Sequence, residues 1–258
     1  MSFPISLTNK LFLHMNTIYR LLLLMVFGLT FGCKSIIGKV FHKDQVHRVE
    51  IATIGSEEAS IFNSTFQSVG LISLDDPVKL DVTSVPFTKN SYKDFLTAKR
   101  SQSSDLDIGY MDSLKQKPKY LNVKVVDVLH LMDQLHEPDN ENVKGYLETN
   151  QRAGVVMELS IVFPKTIIDD MLKAEAVFLA QSSNTTYQLQ LINKDGEIKQ
   201  ISFKDGVVMG YELSRPCWKK SDRNSFWIVE LIGSMGKCST GTYKSPRFIK
   251  SEEDYFKF

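Results

Sequence analysis

The sequence predicts an α+β fold that is dominated by antiparallel sheet and contains a few short helices. Two Lys-Asp-Gly segments, 194–196 and 204–206, join alternating apolar runs, and Asp-Gly at such a joint is a strong hairpin signal. Residues 187–191 alternate apolar side chains with glutamines, which indicates a half-exposed strand. Residues 165–173 place their apolar side chains on one side of a short helix.

Composition places the chain among ordinary globular proteins. It has 258 residues, of which 43% are hydrophobic and 24% charged, with 8 Pro, 14 Gly and 3 Cys. These values exclude a disordered tail, a collagen-like rod and a dense disulfide scaffold. The formal net charge is +1, from 31 basic and 30 acidic residues, so the chain is not a nucleic-acid binder that relies on bulk positive charge.

The first 32 residues have the layout of a secretory signal peptide. They contain no acidic residue, and Lys10 and Arg20 precede an apolar run from Leu21 to Gly32. A positive lead followed by a short apolar run is typical of such signals. The alternative is a membrane-spanning helix, which needs roughly 20 apolar residues. The run is shorter than that, so we predict a signal peptide over residues 1–32.

The end of this segment, Leu29-Thr30-Phe31-Gly32-Cys33, resembles the lipobox of bacterial lipoproteins. The resemblance implies cleavage before Cys33, diacylglycerol on its thiol and acylation of the new N-terminus, with residues 33–45 as a lipidated tether. Each buried CH₂ group of the acyl chains contributes about 0.8 kcal/mol to membrane binding. The alternative is a free cysteine that ends an ordinary signal. Lys34, in place of Asp, favours the outer membrane by the same resemblance.

If Cys33 carries lipid, two cysteines remain, Cys217 and Cys238. An exported protein with an even number of remaining cysteines favours a disulfide between them. A bridge between them closes a loop of about twenty residues, residues 218–237. If the bridge acts by lowering the entropy of the unfolded chain, it stabilises the fold by roughly 3 kcal/mol. Metal binding is the alternative, but no CxxC or HxxxH pair lies nearby. We therefore predict a disulfide and no metal site.

The body of the chain divides into a small mixed α/β portion, 46–110, and an antiparallel β-rich portion, 111–258. The alternative is a single domain that contains both portions. In the first portion we predict a strand around 49–53 and a helix over 56–69, capped at Ser56 and ended by Gly70. Strands near 71–74 and 78–82 and a short helix around 92–99 follow. In the second portion we predict the helix at 165–173 and a set of strands: 120–132, 155–163, 176–180, 186–192, 198–203, 207–213 and 225–232.

Candidate functional residues are few. His130 and His136 stand near acidic residues, but on the predicted strand the polar side chains divide between both faces, which indicates an exposed strand end. Trp218 and Trp227, beside the predicted disulfide, are a candidate glycan or peptide platform, with core packing as the alternative. The residues after the signal contain no GxSxG, SxxK, HExxH, P-loop or GxGxxG motif. We predict no cofactor.

The sequence thus predicts a lipid-anchored protein of the cell envelope, held at the outer membrane on its periplasmic or surface-exposed face. We expect a non-catalytic accessory or scaffold subunit of an outer-membrane assembly, secretion or uptake complex. Its expected partners are the membrane, through the lipid anchor, and other envelope proteins, but no nucleic acid. The alternatives are a glycan- or peptide-binding lipoprotein and an envelope hydrolase whose catalytic groups lie far apart in the sequence.

Overall fold

The computed structural model describes residues 49–59, 64–183, 186–221 and 225–249. The predicted signal peptide, Cys33 and the tether lie outside the described residues. Among the helices that the structure describes, none is long and apolar enough to span a membrane.

The described residues include ten strands, four α-helices and a helical turn at 246–249. The strands are β1 (Thr53–Ala59), β2 (Ser64–Leu71), β3 (Val78–Pro86), β4 (Lys119–Val125), β5 (Ala153–Val162), β6 (Ala176–Ser183), β7 (Thr186–Ile192), β8 (Ile198–Ser202), β9 (Val207–Lys220) and β10 (Phe226–Gly233). The α-helices are α1 (Lys89–Ser101), α2 (Val128–Leu135), α3 (Glu141–Thr149) and α4 (Lys165–Lys173). Short 3-10 helices lie at Pro138–Asn140 and Phe203–Asp205.

All ten strands belong to one sheet, and every pairing is antiparallel. The strand order is β10-β9-β5-β4-β3-β6-β7-β8, and β1 pairs with both β2 and the first residues of β5. Strands from the predicted 46–110 and 111–258 portions are direct neighbours, since β3 pairs with β4 and β6. The sheet and its few short helices confirm the predicted α+β class.

Strand β5 lies in the interior of the sheet. All ten of its residues are buried, which explains why its sequence, AGVVMELSIV, is apolar almost throughout instead of alternating. Its first residues pair with β1, its later residues pair with β4 along the same edge, and β9 covers the other edge. A mostly apolar sequence fits a strand that is covered on both faces.

Helix α1 packs through a separate small core. Phe87, Phe95, Ala98, Val162, Val207 and Met209 form this cluster. The side chain of Gln102, just after α1, donates to the Val208 carbonyl oxygen at 2.6 Å and accepts from the Val208 amide at 3.1 Å. The predicted helix around 92–99 is therefore present and longer, because both apolar contacts and a polar clamp hold it against β9.

The predicted helix over 56–69 is wrong, because residues 56–59 and 64–69 lie in the paired strands β1 and β2. The predicted strand around 49–53 is also misplaced, since β1 begins only at Thr53. Tertiary packing explains the helix error: β1 pairs with β5, and the Phe66 ring lies 5.1 Å from the Tyr211 ring. A Cβ on Gly55 would lie 2.5 Å from the Phe66 ring, so glycine is needed there for close approach. These contacts outweigh the local helix signals.

The predicted strand over 120–132 is also wrong in its second half. β4 ends at Val125 and α2 begins at Val128, after Asp127, whose side chain accepts a hydrogen bond from the His130 amide at 3.2 Å. Asp127 therefore acts as the N-cap that begins the helix. His130 consequently lies on a helix, not at an exposed strand end.

The two Lys-Asp-Gly segments play different roles. The first lies in the tight β7–β8 hairpin, where Gly196 has a φ of 82°, a value that favours glycine. The second does not form a hairpin. β8 pairs with β7, whereas β9 pairs with β5 and β10, so residues 203–206 connect strands that are not neighbours. A capped 3-10 helix at Phe203–Asp205 makes this turn.

Candidate functional site

The disulfide between Cys217 and Cys238 is present, with a Cα–Cα distance of 5.7 Å. It joins β9 to the segment that follows β10. A second link lies next to it, because the backbones of Trp218 and Tyr243 form a two-way bridge with N–O distances of 2.7 and 2.9 Å. Together the two links hold the segment after β10 against β9.

The prediction that Trp218 forms part of a ligand platform is wrong. Its side chain has an exposed fraction of 0%, and it belongs to the main hydrophobic core. Its indole N–H is buried and has no hydrogen-bond partner among the described residues. Packing in the main core therefore explains Trp218, and no ligand can reach its ring without a rearrangement of the core.

Trp227 is different, since 46% of the residue is exposed. It lies on β10, which pairs with β9 and with no other described strand. The His136 ring lies against it, with ring centroids 4.2 Å apart, and the Lys144 Nζ is 5.5 Å from the Trp227 ring centroid. Val229, two residues further along β10, is 40% exposed. We refer to Trp227, Val229, His136 and Lys144 as the Trp227 surface.

His136 supports this surface from the end of α2. Its Nε2 lies 3.1 Å from the Ile228 carbonyl oxygen, an acceptor, so Nε2 carries the hydrogen. Burial lowers the pKa of His136 and the nearby Lys144 charge acts in the same direction, whereas the bond to Ile228 and the Asp133 charge oppose them. The ring is therefore neutral at pH 7, and it holds the Trp227 indole from one side.

The two histidines do not form a common site. His130 is near the start of α2 and His136 is its C-cap, six residues later, so the two side chains project in different directions. No group of three or more His, Cys, Asp or Glu side chains that could hold a metal ion occurs among residues 49–249 where the structure describes them.

A cavity of about 660 Å³ lies between α4, the loop before β4 and the end of β3. Its apolar lining includes Phe163, which is fully buried, Ile168 and the exposed Leu172. Its charged lining consists of Lys115, Lys117, Lys119, Lys165 and Asp169. We refer to it as the lysine cavity. Neither His130 nor His136 lines it.

The sequence analysis did not identify the lysine cavity. The available signal was the run Lys115-Gln116-Lys117-Pro118-Lys119. A short basic run alone indicates only a solvated surface. What makes it part of a cavity is the β3–β4 pairing of Pro86 with Lys119, extended by the hydrogen bond from the Phe87 amide to the Pro118 carbonyl oxygen at 2.9 Å. These contacts bring the run beside α4.

A polar cluster connects β1 with β9. The Tyr211 hydroxyl lies 3.4 Å from Glu57 Oε1, and an Arg215 Nη lies 3.8 Å from Glu57 Oε2. Burial raises the pKa of Tyr211 well above its usual value, and the Glu57 carboxylate raises it further, so this hydroxyl stays protonated. Glu57, predicted in the first turn of a helix, is instead a strand residue that holds β9. Its role here is structural.

Comparison of the chain with protein-family models, with curated protein sequences and with solved structures found no match in any of the three.

Proposed function

We propose that this protein is a lipid-anchored subunit of the cell envelope that binds another envelope protein through the Trp227 surface and performs no catalysis. The anchor follows from the lipobox-like segment that ends at Cys33. The disulfide between Cys217 and Cys238 supports an oxidising compartment, since such bonds persist outside the cytosol. The observation that carries the binding role is the exposure of Trp227.

An exposed tryptophan at a sheet edge is a strong candidate for a protein contact. Tryptophan is enriched among the residues that dominate binding energy at protein interfaces. Here the ring is held in place by His136 and lies near the Lys144 ammonium, so little side-chain entropy is lost when a partner covers it. Val229 extends the apolar area along the same strand. A partner with an apolar pocket and an acidic rim fits this surface.

The envelope hydrolase finds less support in the geometry. It calls for a concave pocket that gathers His130 or His136 with carboxylates and a polar nucleophile. Neither histidine lines the lysine cavity or the smaller cavity of about 280 Å³ beside Arg215. His136 instead binds a backbone carbonyl and packs on Trp227.

Site-specific crosslinking in intact cells tests the proposal. A benzophenone amino acid replaces Val229, beside Trp227, and in a second strain it replaces Ile198, which is 58% exposed on β8 at the other end of the sheet. We expect one discrete protein adduct at position 229, its loss when Trp227→Ala is added, and no such adduct at position 198.

Two results contradict the proposal. One is the absence of an adduct at position 229 while the protein is correctly folded and localised. The other is the same adduct at both positions, which indicates random collision in a crowded compartment. An adduct that contains glycan instead of protein favours the glycan-binding alternative and also overturns the proposed protein partner.

A further inference from the structure

The lysine cavity is separate from the Trp227 surface and has its own chemistry. It lies where α4 faces the β3–β4 end of the sheet, whereas Trp227 lies on β10, at one edge of the sheet. Its volume of about 660 Å³ falls within the range of roughly 300–1,000 Å³ that is usual for small-molecule sites. The lysine cavity is therefore a candidate small-molecule site that the proposed function does not use.

Charge is the first feature that selects a ligand. Lys117 is already paired with Asp112, since Nζ lies 3.3 Å from the carboxylate. Lys115, Lys119 and Lys165 have no carboxylate within 4.0 Å among the described residues. The cavity therefore has three uncompensated ammonium groups in its lining, against the single carboxylate of Asp169. Such a site attracts an anion of more than one negative charge.

The apolar lining is the second feature. Phe163 and Ile168 are buried within the fold, yet part of the cavity wall is formed by them, and Leu172 is 43% exposed although it is a large apolar residue. Ile108 and the prolines Pro86 and Pro118 complete this lining. A ligand that covers Leu172, Ile108 and the two prolines removes their exposed apolar surface from water, which favours binding by about 25 cal/mol per Å². A free inorganic anion leaves that surface exposed.

We propose that the lysine cavity binds a single-chain amphiphile with a phosphate monoester head and an aliphatic body. The phosphate, with a charge near −2, lies among the ammonium groups of Lys115, Lys119 and Lys165. Lysine is a common binding partner of phosphate groups. The aliphatic chain lies on Leu172, Ile108 and the two prolines. A cavity of this volume admits one medium-length chain with its head, but not a complete two-chain phospholipid.

Native mass spectrometry of the full chain, purified in the neutral detergent dodecyl maltoside, tests this directly. Dodecyl phosphate is added, the detergent is removed in the gas phase, and we expect one dodecyl phosphate to remain per protein. Dodecyltrimethylammonium, with the same chain and the opposite charge, is expected to leave no adduct. Inorganic phosphate is expected to compete at least tenfold more weakly than dodecyl phosphate, because it makes no apolar contact.

Variants with matched charge show where the ligand binds. The double variant Lys119→Glu/Lys165→Glu should lower the affinity about tenfold or more, since two attractions become repulsions. The control Lys124→Glu/Lys204→Glu carries the same change in net charge on exposed residues outside the cavity and should bind as the wild type does. Leu172→Ser should weaken binding several-fold. Because Leu172 is exposed, this substitution should change the stability of the fold little.

Four results overturn the proposal. Two concern the head group: the cationic amphiphile is retained as strongly as dodecyl phosphate, or inorganic phosphate competes equally well, which indicates a plain anion site. The other two are an equal loss of affinity in the control double variant, and equal competition by a two-chain phosphatidic acid in the same micelles, which excludes the single-chain assignment. Thermal unfolding followed by circular dichroism verifies that each variant is folded. Crosslinking at position 229 is independent of all these outcomes.

Discussion

Trp218 and Trp227 lie on neighbouring strands nine residues apart, and they face opposite environments. In the β9–β10 pairing, Trp218 is opposite Ile228 and Trp227 is opposite Lys219. Trp218 is fully buried, whereas 46% of Trp227 is exposed. Both were predicted as members of one platform. Strand register, not residue type or nearness to the disulfide, therefore decides which aromatic ring is exposed.

The two faces of the β9–β10 pair explain the difference. Trp218 lies on the same face as its partner Ile228, and both residues belong to the main hydrophobic core. Trp227 alternates with the buried Phe226 and Ile228, so it projects to the opposite side of β10. There, His136 covers only part of the ring. One tryptophan is therefore a core residue and the other a surface residue that is held in one orientation.

Alanine substitution should separate the two tryptophans most clearly. Trp218→Ala leaves a large cavity in the core, so we expect it to lower the free energy of unfolding by about 3–5 kcal/mol. Trp227→Ala removes a half-exposed ring and should cost less than about 1 kcal/mol. Urea unfolding followed by far-ultraviolet circular dichroism measures both, since this signal comes mainly from the backbone and remains usable when either indole is removed.

Trp218→Phe provides the control, because it keeps most of the buried ring and should recover more than half of the loss. Equal destabilisation by the two alanine substitutions contradicts the assignment of Trp227 to the surface. A negligible effect of Trp218→Ala contradicts the assignment of Trp218 to the core.

A smaller effect should appear in the pH dependence. Burial lowers the pKa of His136 below its ordinary value of 6.5, so the unfolded chain binds a proton more readily than the folded chain does. The stabilisation from neutral His136 is fully present above pH 6.5 and is lost as the pH falls from there through the lower folded pKa. The free energy of unfolding should therefore decrease as the pH is lowered from 6.5 through the folded-state pKa of His136.

His136→Gln should make that decrease shallower, because glutamine does not titrate. His130→Gln, on the same helix but away from Trp227, is the matched control and should keep the wild-type slope. Urea unfolding at a series of pH values measures the slope. An identical slope in wild type and His136→Gln contradicts the buried, neutral state of His136.

Local signals predicted much of the fold correctly. The helix at 165–173 and the β7–β8 hairpin are both present, since a one-sided apolar pattern and an Asp-Gly turn specify them within a few residues. The errors at 56–69 and 120–132 have a different origin. The first depends on pairing with β5, about 100 residues away in sequence, and the second on the Asp127 cap within an otherwise strand-like run.

The candidate sites were predicted only in part. The Cys217–Cys238 disulfide follows from cysteine number and compartment, and Trp227 follows from its residue type. The lysine cavity did not follow from the sequence, because Lys119 and Lys165 are far apart in the chain and only the sheet brings their elements together. The burial of Trp218 does not follow from the sequence for a similar reason, since it depends on the register between β9 and β10.

The proposed anchoring at a membrane through Cys33 would determine the compartment in which the Trp227 surface binds the proposed partner. Metabolic labelling with an alkyne palmitate, followed by detergent phase partitioning, tests it most directly. We expect the wild type and Cys238→Ser to be labelled and to enter the detergent phase, and Cys33→Ser to be unlabelled and to stay in the aqueous phase. A wild-type protein that takes up no label and partitions into water contradicts the account.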